Sequence, residues 1–211
     1  MVSPVGWPEL KYPLVAILRG VQPDEVEAIG DVLVEAGFEA IEVPLNSPDP
    51  LVSIERLAKR HGERILIGAG TVLSAADCAA VADAGGRLMV SPNVDPEVLA
   101  MAVARGMVTL PGVMSPTEAL LALRCGASAL KFFPASVLGP SGISAVRAIL
   151  PKGTRVAAVG GVSNENFADY VAAGISIFGL GTNLYKPGRT TEEMATTAAA
   201  AIKAYDKAIG R

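Results

Sequence analysis

The strongest chemical signal in this chain is a lysine where a lysine is costly. Of seven lysines, six fall in helical stretches, in loops or near the termini; Lys131 alone is set in a strand-like apolar run, between Leu130 and Phe132. An ammonium cannot be buried cheaply unless it is paired or neutralised. Burial lowers its pKa, and a neutral amine is a nucleophile toward ketones. A structural ion pair with a carboxylate and a phosphate-binding strand end are the other readings of such a lysine. Glu42 carries the second signal. It interrupts Ile41 and Val43, so alternation puts it on the face of Ala40 and Pro44. A carboxylate beside an imine supplies the general acid–base that carbon–carbon cleavage needs. A plain buried ion pair with Lys131 is the alternative.

Other polar residues gather where apolar runs end. Gly160–Gly161 close one run and are followed by Ser163 and Asn164; Gly181–Thr182 close the next. Backbone amides freed by glycine at a helix start form an anion nest, with a tight turn as the simpler reading of each glycine pair. Two Gly-rich ends in succession favour phosphate. Gly68-Ala69-Gly70-Thr71 permits close backbone approach and adds a hydroxyl. Arg19, with Gly20 behind it, offers a guanidinium suited to a carboxylate or to a rim salt bridge. Asn46 and Ser91 complete the set of polar strand ends. The one histidine, His61, ends a helical stretch before Gly62 and cannot supply a set of imidazole ligands. The expectation is chemistry with no metal and no cofactor, with a carboxylate-bound magnesium as the alternative that nothing in the sequence demands.

These residues are held by a repeating pattern. The apolar runs are 14–18, 40–45, 65–70, 88–92, 107–112, 129–134, 156–161 and 177–181, each followed by an Ala-, Leu- and Glu-rich helical stretch. Helices are expected to begin near Gln22, Asp49, Ser74, Asp95, Ser115, Pro140, Ser163 and Thr190, the last running over 190–208. Ser74 with Asp77, Ser115 with Glu118 and Thr190 with Glu193 have capping-box spacing. Eight strands alternating with eight helices imply parallel strands, and a closed (β/α)₈ barrel of the TIM type is the simplest α/β solution. A doubly wound open sheet is the rival, but no GxGxxG follows the first run. One domain over 1–211 is expected. In a barrel the second and sixth strands lie opposite, so Glu42 and Lys131 can face each other across the mouth, at the end where active sites form.

Composition narrows the partners. An apolar share of 51% means the chain folds. With 18 basic and 21 acidic residues and no basic stripe, nucleic acid is not expected as a partner. No run of about 18 apolar residues points to a membrane span, and the opening segment lacks a signal-peptide pattern. A cytoplasmic location is expected. Cys78 and Cys125, both placed in helices and outside any CxxC, are read as buried reduced thiols.

Taken together, the segments AILRG, IEVPLNSP, IGAGTVL, VSPN, PGVMSPTEA, LKFFPAS, AVGGVS and GLGTNLY are highly specific. From about Leu14 to Tyr205 the chain resembles the class I aldolases that cleave 2-keto-3-deoxy-6-phosphogluconate and its 6-phosphogalactonate relative. The resemblance implies a Schiff base on Lys131, acid–base catalysis by Glu42, and Thr71 near the pyruvate moiety. It also implies a phosphate site at Gly160, Gly161 and Thr182, and a homotrimer. The gluconate branch has an arginine where this chain has Asn46 and a threonine where it has Val159. The galactonate branch looks like this chain at both positions and carries the arginine seen here as Arg19. The implied substrate is a phosphorylated keto-deoxy sugar acid, the galactonate epimer, with Arg19 making the anion contact and Val159 lying near C4. The gluconate epimer, a sugar-phosphate epimerase and a non-catalytic sugar-phosphate binder are the rivals.

Overall fold

Short Val-, Ile- and Leu-rich runs closed by Gly or Pro favour brief strands buried on both faces. The structure, a computed structural model, describes residues 3–211; the first two residues of the expected domain and of the segment read for a signal peptide lie outside the described residues. The strands are β1 (Leu14–Ile17), β2 (Ala40–Pro44), β3 (Leu66–Gly70), β4 (Leu88–Val90), β5 (Val108–Leu110), β6 (Gly112–Val113), β7 (Leu130–Phe132), β8 (Val156–Val159) and β9 (Ile177–Leu180). The helices are α1 (Val26–Ala36), α2 (Pro50–His61), α3 (Ala75–Asp83), α4 (Pro96–Ala104), α5 (Pro116–Arg124), α6 (Ala135–Arg147), α7 (Phe167–Ala172) and α8 (Thr191–Ile209).

All strands are parallel, in the order β5-β4-β3-β2-β1-β9-β8-β7-β6. The two ends of that order, β5 and β6, are consecutive in the chain and flank Pro111. They are the halves of one barrel strand, which proline interrupts because it has no N–H to donate. The first half pairs with β4. The second pairs with β7, where the Lys131 N–H donates to the Pro111 carbonyl at 2.9 Å. The sheet therefore closes, and the expected TIM barrel is the fold.

Two apolar layers hold it. Outward-facing strand residues pack under the helices with Phe38, Phe132, Phe167 and Phe178, all fully buried. Each such burial contributes about 1.5–3 kcal/mol. The barrel interior is a separate cluster, including Val15, Ala40, Leu66, Leu88, Val108, Ala129, Ala157 and Ile177, with Trp7 packed into it. Trp7 comes from the segment before β1, so it stoppers the N-terminal end of the barrel. Alternation then places Glu42, Gly68, Lys131, Val159 and Gly179, each two residues past an interior residue, inside the barrel one step nearer its C-terminal mouth.

Helix starts follow their caps with some shifts. Capping boxes form at Ser115–Glu118 and Thr190–Glu193, whereas Ser74 accepts from the Asp77 N–H without a reciprocal bond. Aspartate is one methylene shorter than the glutamate that closes the other two boxes. The first helix begins at Val26, later than Gln22, because a turn bonding Glu25 N–H to the Gln22 carbonyl precedes it. Likewise α7 begins at Phe167, after a turn in which Asn166 bonds back to Ser163. The expected start at Pro140 is corrected: α6 begins at Ala135, and Gly139, at φ 64°, kinks it before Pro140. Both cysteines are free, but only Cys78 is buried; Cys125 caps α5 and is half-exposed. No described helix is long and apolar enough to cross a membrane.

Candidate active site

Lys131 and Glu42 project into the barrel from opposite sides, and both are buried, at 6% and 3% exposure. They form no ion pair within 4.0 Å among the described residues. A gap therefore separates an amine from a carboxyl group, each close enough to feel the other's charge. Burial pushes the Glu42 carboxyl up to about 7, against the pull of Lys131, Arg19 and the Gly70 N–H. Burial likewise pushes the Lys131 ammonium down to about 8, with Glu42 opposing and Arg19 reinforcing. The amine is thus far easier to deprotonate than a free lysine, and the carboxyl can both hold and release a proton near neutrality.

Gly70 makes room for Glu42. A Cβ built there would lie 2.0 Å from Glu42 Oε2, so the carboxylate would have to move to admit it. Gly70 thus leaves the carboxylate its present place, while Gly68, whose Cβ would strike the Leu88 backbone, serves the close approach of β3 and β4. Glu42 Oε2 itself has no hydrogen-bond partner among the described residues, although it is buried. An orphaned carboxylate oxygen costs free energy unless something at the site can engage it.

Beyond β3, Thr71 adopts φ 57°, a left-handed conformation that costs a threonine about 1–2 kcal/mol. Its hydroxyl accepts from Arg19 Nη2 at 3.4 Å, while Arg19 Nη1 donates to the Asn46 side-chain carbonyl. Three strand ends thus converge on one guanidinium. Arg19 forms no salt bridge among the described residues, and Asn46, one of the polar strand ends named from sequence, is its partner. Ser91 turns away, donating to the Asn93 carbonyl at 2.7 Å.

On the other side of the mouth, Lys131 Nζ lies 4.9 Å from the Phe133 ring centroid. That ring backs onto Gly160, where a Cβ would come within 3.3 Å of it. Gly160 and Gly161 both have left-handed φ, 87° and 79°, and a Cβ on Gly161 would meet Ser136 at 2.5 Å. The Ser136 N–H donates to the Gly160 carbonyl, and Asn183 Nδ2 to the Val162 carbonyl at 2.6 Å, which joins the β8 and β9 loops. Thr182 sits exposed in the turn after β9. Val159 is 7% exposed and packs over Gly179, which has no side chain to displace it. Phe133 and Ser136 were not singled out as site residues from sequence; only the crowding of aromatic and small residues in LKFFPAS points to them.

The remaining titratable groups lie elsewhere. His61 is buried behind the barrel with Nε2 3.0 Å from Asp31 Oδ1, an anchor between α2 and α1. No group of three or more His, Cys, Asp or Glu is placed to hold a metal among the described residues.

A closed parallel barrel whose mouth sets a buried amine opposite a buried carboxyl has the frame of a carbon–carbon lyase. The model of the aldolase family described as KDPG and KHG aldolase matches residues 9–199. The chain is 58% identical over 203 residues to the probable 2-dehydro-3-deoxy-6-phosphogalactonate aldolase of Rhizobium meliloti (strain 1021), covering 96% of each chain. It is 47% identical over 201 residues to the 2-dehydro-3-deoxy-6-phosphogalactonate aldolase of Escherichia coli (strain K12), covering 95% of this chain and 98% of that one. A solved structure described as native KDPGal superposes with a TM-score of 0.95 at 46% identity, over 98% of this chain and all of the other. The chain belongs to the KDPG and KHG aldolase family.

Proposed function

We propose that this chain is a class I aldolase that cleaves 2-dehydro-3-deoxy-6-phosphogalactonate to pyruvate and glyceraldehyde 3-phosphate. The observation that carries this reading is the buried Lys131 amine facing the buried Glu42 carboxyl across an open gap at the barrel mouth. Neutral Lys131 adds to the C2 ketone, and water leaves with a proton relayed by Glu42. The resulting iminium is the electron sink for the C3–C4 bond. Glu42, directly or through a water, takes the C4 hydroxyl proton as that bond breaks. The aldehyde leaves, the enamine is protonated at C3, and water releases pyruvate and the free amine. Arg19 and Thr71 hold the carboxylate, while Gly160, Gly161 and Thr182 hold the phosphate on freed backbone amides.

The epimer is assigned by identity to the galactonate enzymes and by Val159. Its methyl groups offer no hydrogen bond to a C4 hydroxyl. One neutral hydrogen bond is worth about 0.5–1.5 kcal/mol, so Val159 biases the enzyme by at most roughly tenfold. The test is kcat/KM for both C4 epimers, on wild type and on Val159→Thr. Wild type is expected to prefer the galactonate epimer, and the variant to move the ratio toward gluconate. Preference for the gluconate epimer by wild type would reverse the assignment. An unchanged ratio in the variant would place discrimination elsewhere.

The same reading includes a homotrimer working in the cytoplasm. Exposed Leu51, Val52, Leu73 and Met114 on the mouth side supply apolar surface for contact, and both free thiols suit a reducing compartment. Light scattering should give three times the 21.6 kDa chain mass; a monomeric mass at micromolar concentration would contradict it.

A further inference from the structure

The Arg19 guanidinium at the mouth does not hold its own position. Arg19 is exposed, with several rotatable bonds between its backbone and its guanidinium. Such a side chain loses much conformational freedom when it must meet a ligand in one pose. Here its pose is already set. Nη1 donates to Asn46 Oδ1 and Nη2 to Thr71 Oγ1. Its positive charge is felt by both Glu42 and Lys131, favouring the deprotonated form of each, so the guanidinium reaches into the reacting region.

The partner side is stiff. Asn46 lies between Pro44 and Pro48, in a loop where the Ser47 N–H donates to the Pro44 carbonyl at 2.9 Å. Buried Ser47 accepts from the Gly20 N–H at 3.0 Å, which ties the backbone that launches Arg19 to the same loop. Behind Arg19, Gly20 is at φ 83° with Pro187 packed where a Cβ would stand. Backbone and side chain of residues 19 and 20 are therefore both fastened to residues 46 and 47. The amide of Asn46 uses its acceptor on the guanidinium without adding charge, so the cation stays free to neutralise an anion. An arginine at position 46 would instead set a second cation against the first.

We propose that Asn46 is a positioning residue: it holds the Arg19 guanidinium, jointly with Thr71, in the orientation that receives the carboxylate of a 2-keto acid. This rests on the reading of Lys131 as the imine-forming amine. Asn46 acts through Arg19 and touches no reacting atom, so its loss weakens binding of the keto acid and leaves the bond-making step largely intact.

The test is a double-mutant cycle on Asn46→Ala and Arg19→Ala, read by borohydride trapping of pyruvate as a function of pyruvate concentration. Asn46→Ala should raise the half-saturating pyruvate concentration by about tenfold or somewhat more, the lower edge of what losing a hydrogen bond to a charged group costs, since this one is exposed. The trapping rate at saturation should fall by no more than about threefold, since the amine and Glu42 are untouched. On the Arg19→Ala background the same substitution should have no further effect. A half-saturation unchanged by Asn46→Ala, or a penalty that persists undiminished without Arg19, would overturn the inference. A wild type that traps no pyruvate at all would instead overturn the Lys131 reading, and this inference with it.

Discussion

Lys131→Ala should abolish turnover, a loss on the order of 10⁶ in kcat by comparison with removal of a covalent nucleophile elsewhere. No other lysine among the described residues is placed to substitute, because the remaining six lie off the barrel interior. Loss of activity through misfolding is separable. Lys131→Met keeps the length of the apolar stem and removes a charge that burial disfavours. The Met variant should therefore be equally dead yet melt no lower than wild type. Residual turnover above about 1% of wild type in either variant would mean that another group forms the adduct or that none is needed.

Glu42→Gln should lower kcat by roughly 10²–10⁴, the usual worth of general acid–base catalysis. A second signature separates this from simple damage. The Glu42 carboxylate favours the charged form of Lys131, so its removal should make the amine easier to deprotonate. The rise of imine formation with pH, set near 8 in wild type, should then begin at lower pH in the variant. The sign is firm because Glu42 is ionised above about 7, so the attraction operates across that window. Slow turnover with an acid-shifted limb supports the role given to Glu42. Near-normal kcat would hand proton transfer to water or another group, and a limb moved to higher pH would contradict the electrostatics.

Lys131 and Glu42 were legible in the sequence because each breaks a rule: a charged residue inside a strand run is costly, and alternation says which way it points. The eightfold alternation was legible for the same reason, since periodicity is local. Pro111 was harder. It divides a barrel strand into two segments, each paired to a different neighbour, which depends on where β4 and β7 lie. The start of α6 was misplaced because Pro140 is a good helix-starting residue, while the true first turn at Ala135 depends on the chain's exit from β7. Asn46 looked like the loss of a cation, since no local spacing joins positions 19, 46 and 71; the barrel brings them together. Phe133 and Ser136 were hidden likewise, because their contacts with Gly160 and Gly161 cross from the end of β7 to the loop after β8.

Lys131 as the residue that forms the covalent adduct is tested by incubating the native protein with pyruvate and borohydride and then mapping peptides by mass spectrometry. One reduced pyruvate adduct per chain is expected, on the peptide carrying Lys131, and none in Lys131→Met. An adduct on any other lysine, or an active enzyme that traps none, would contradict it.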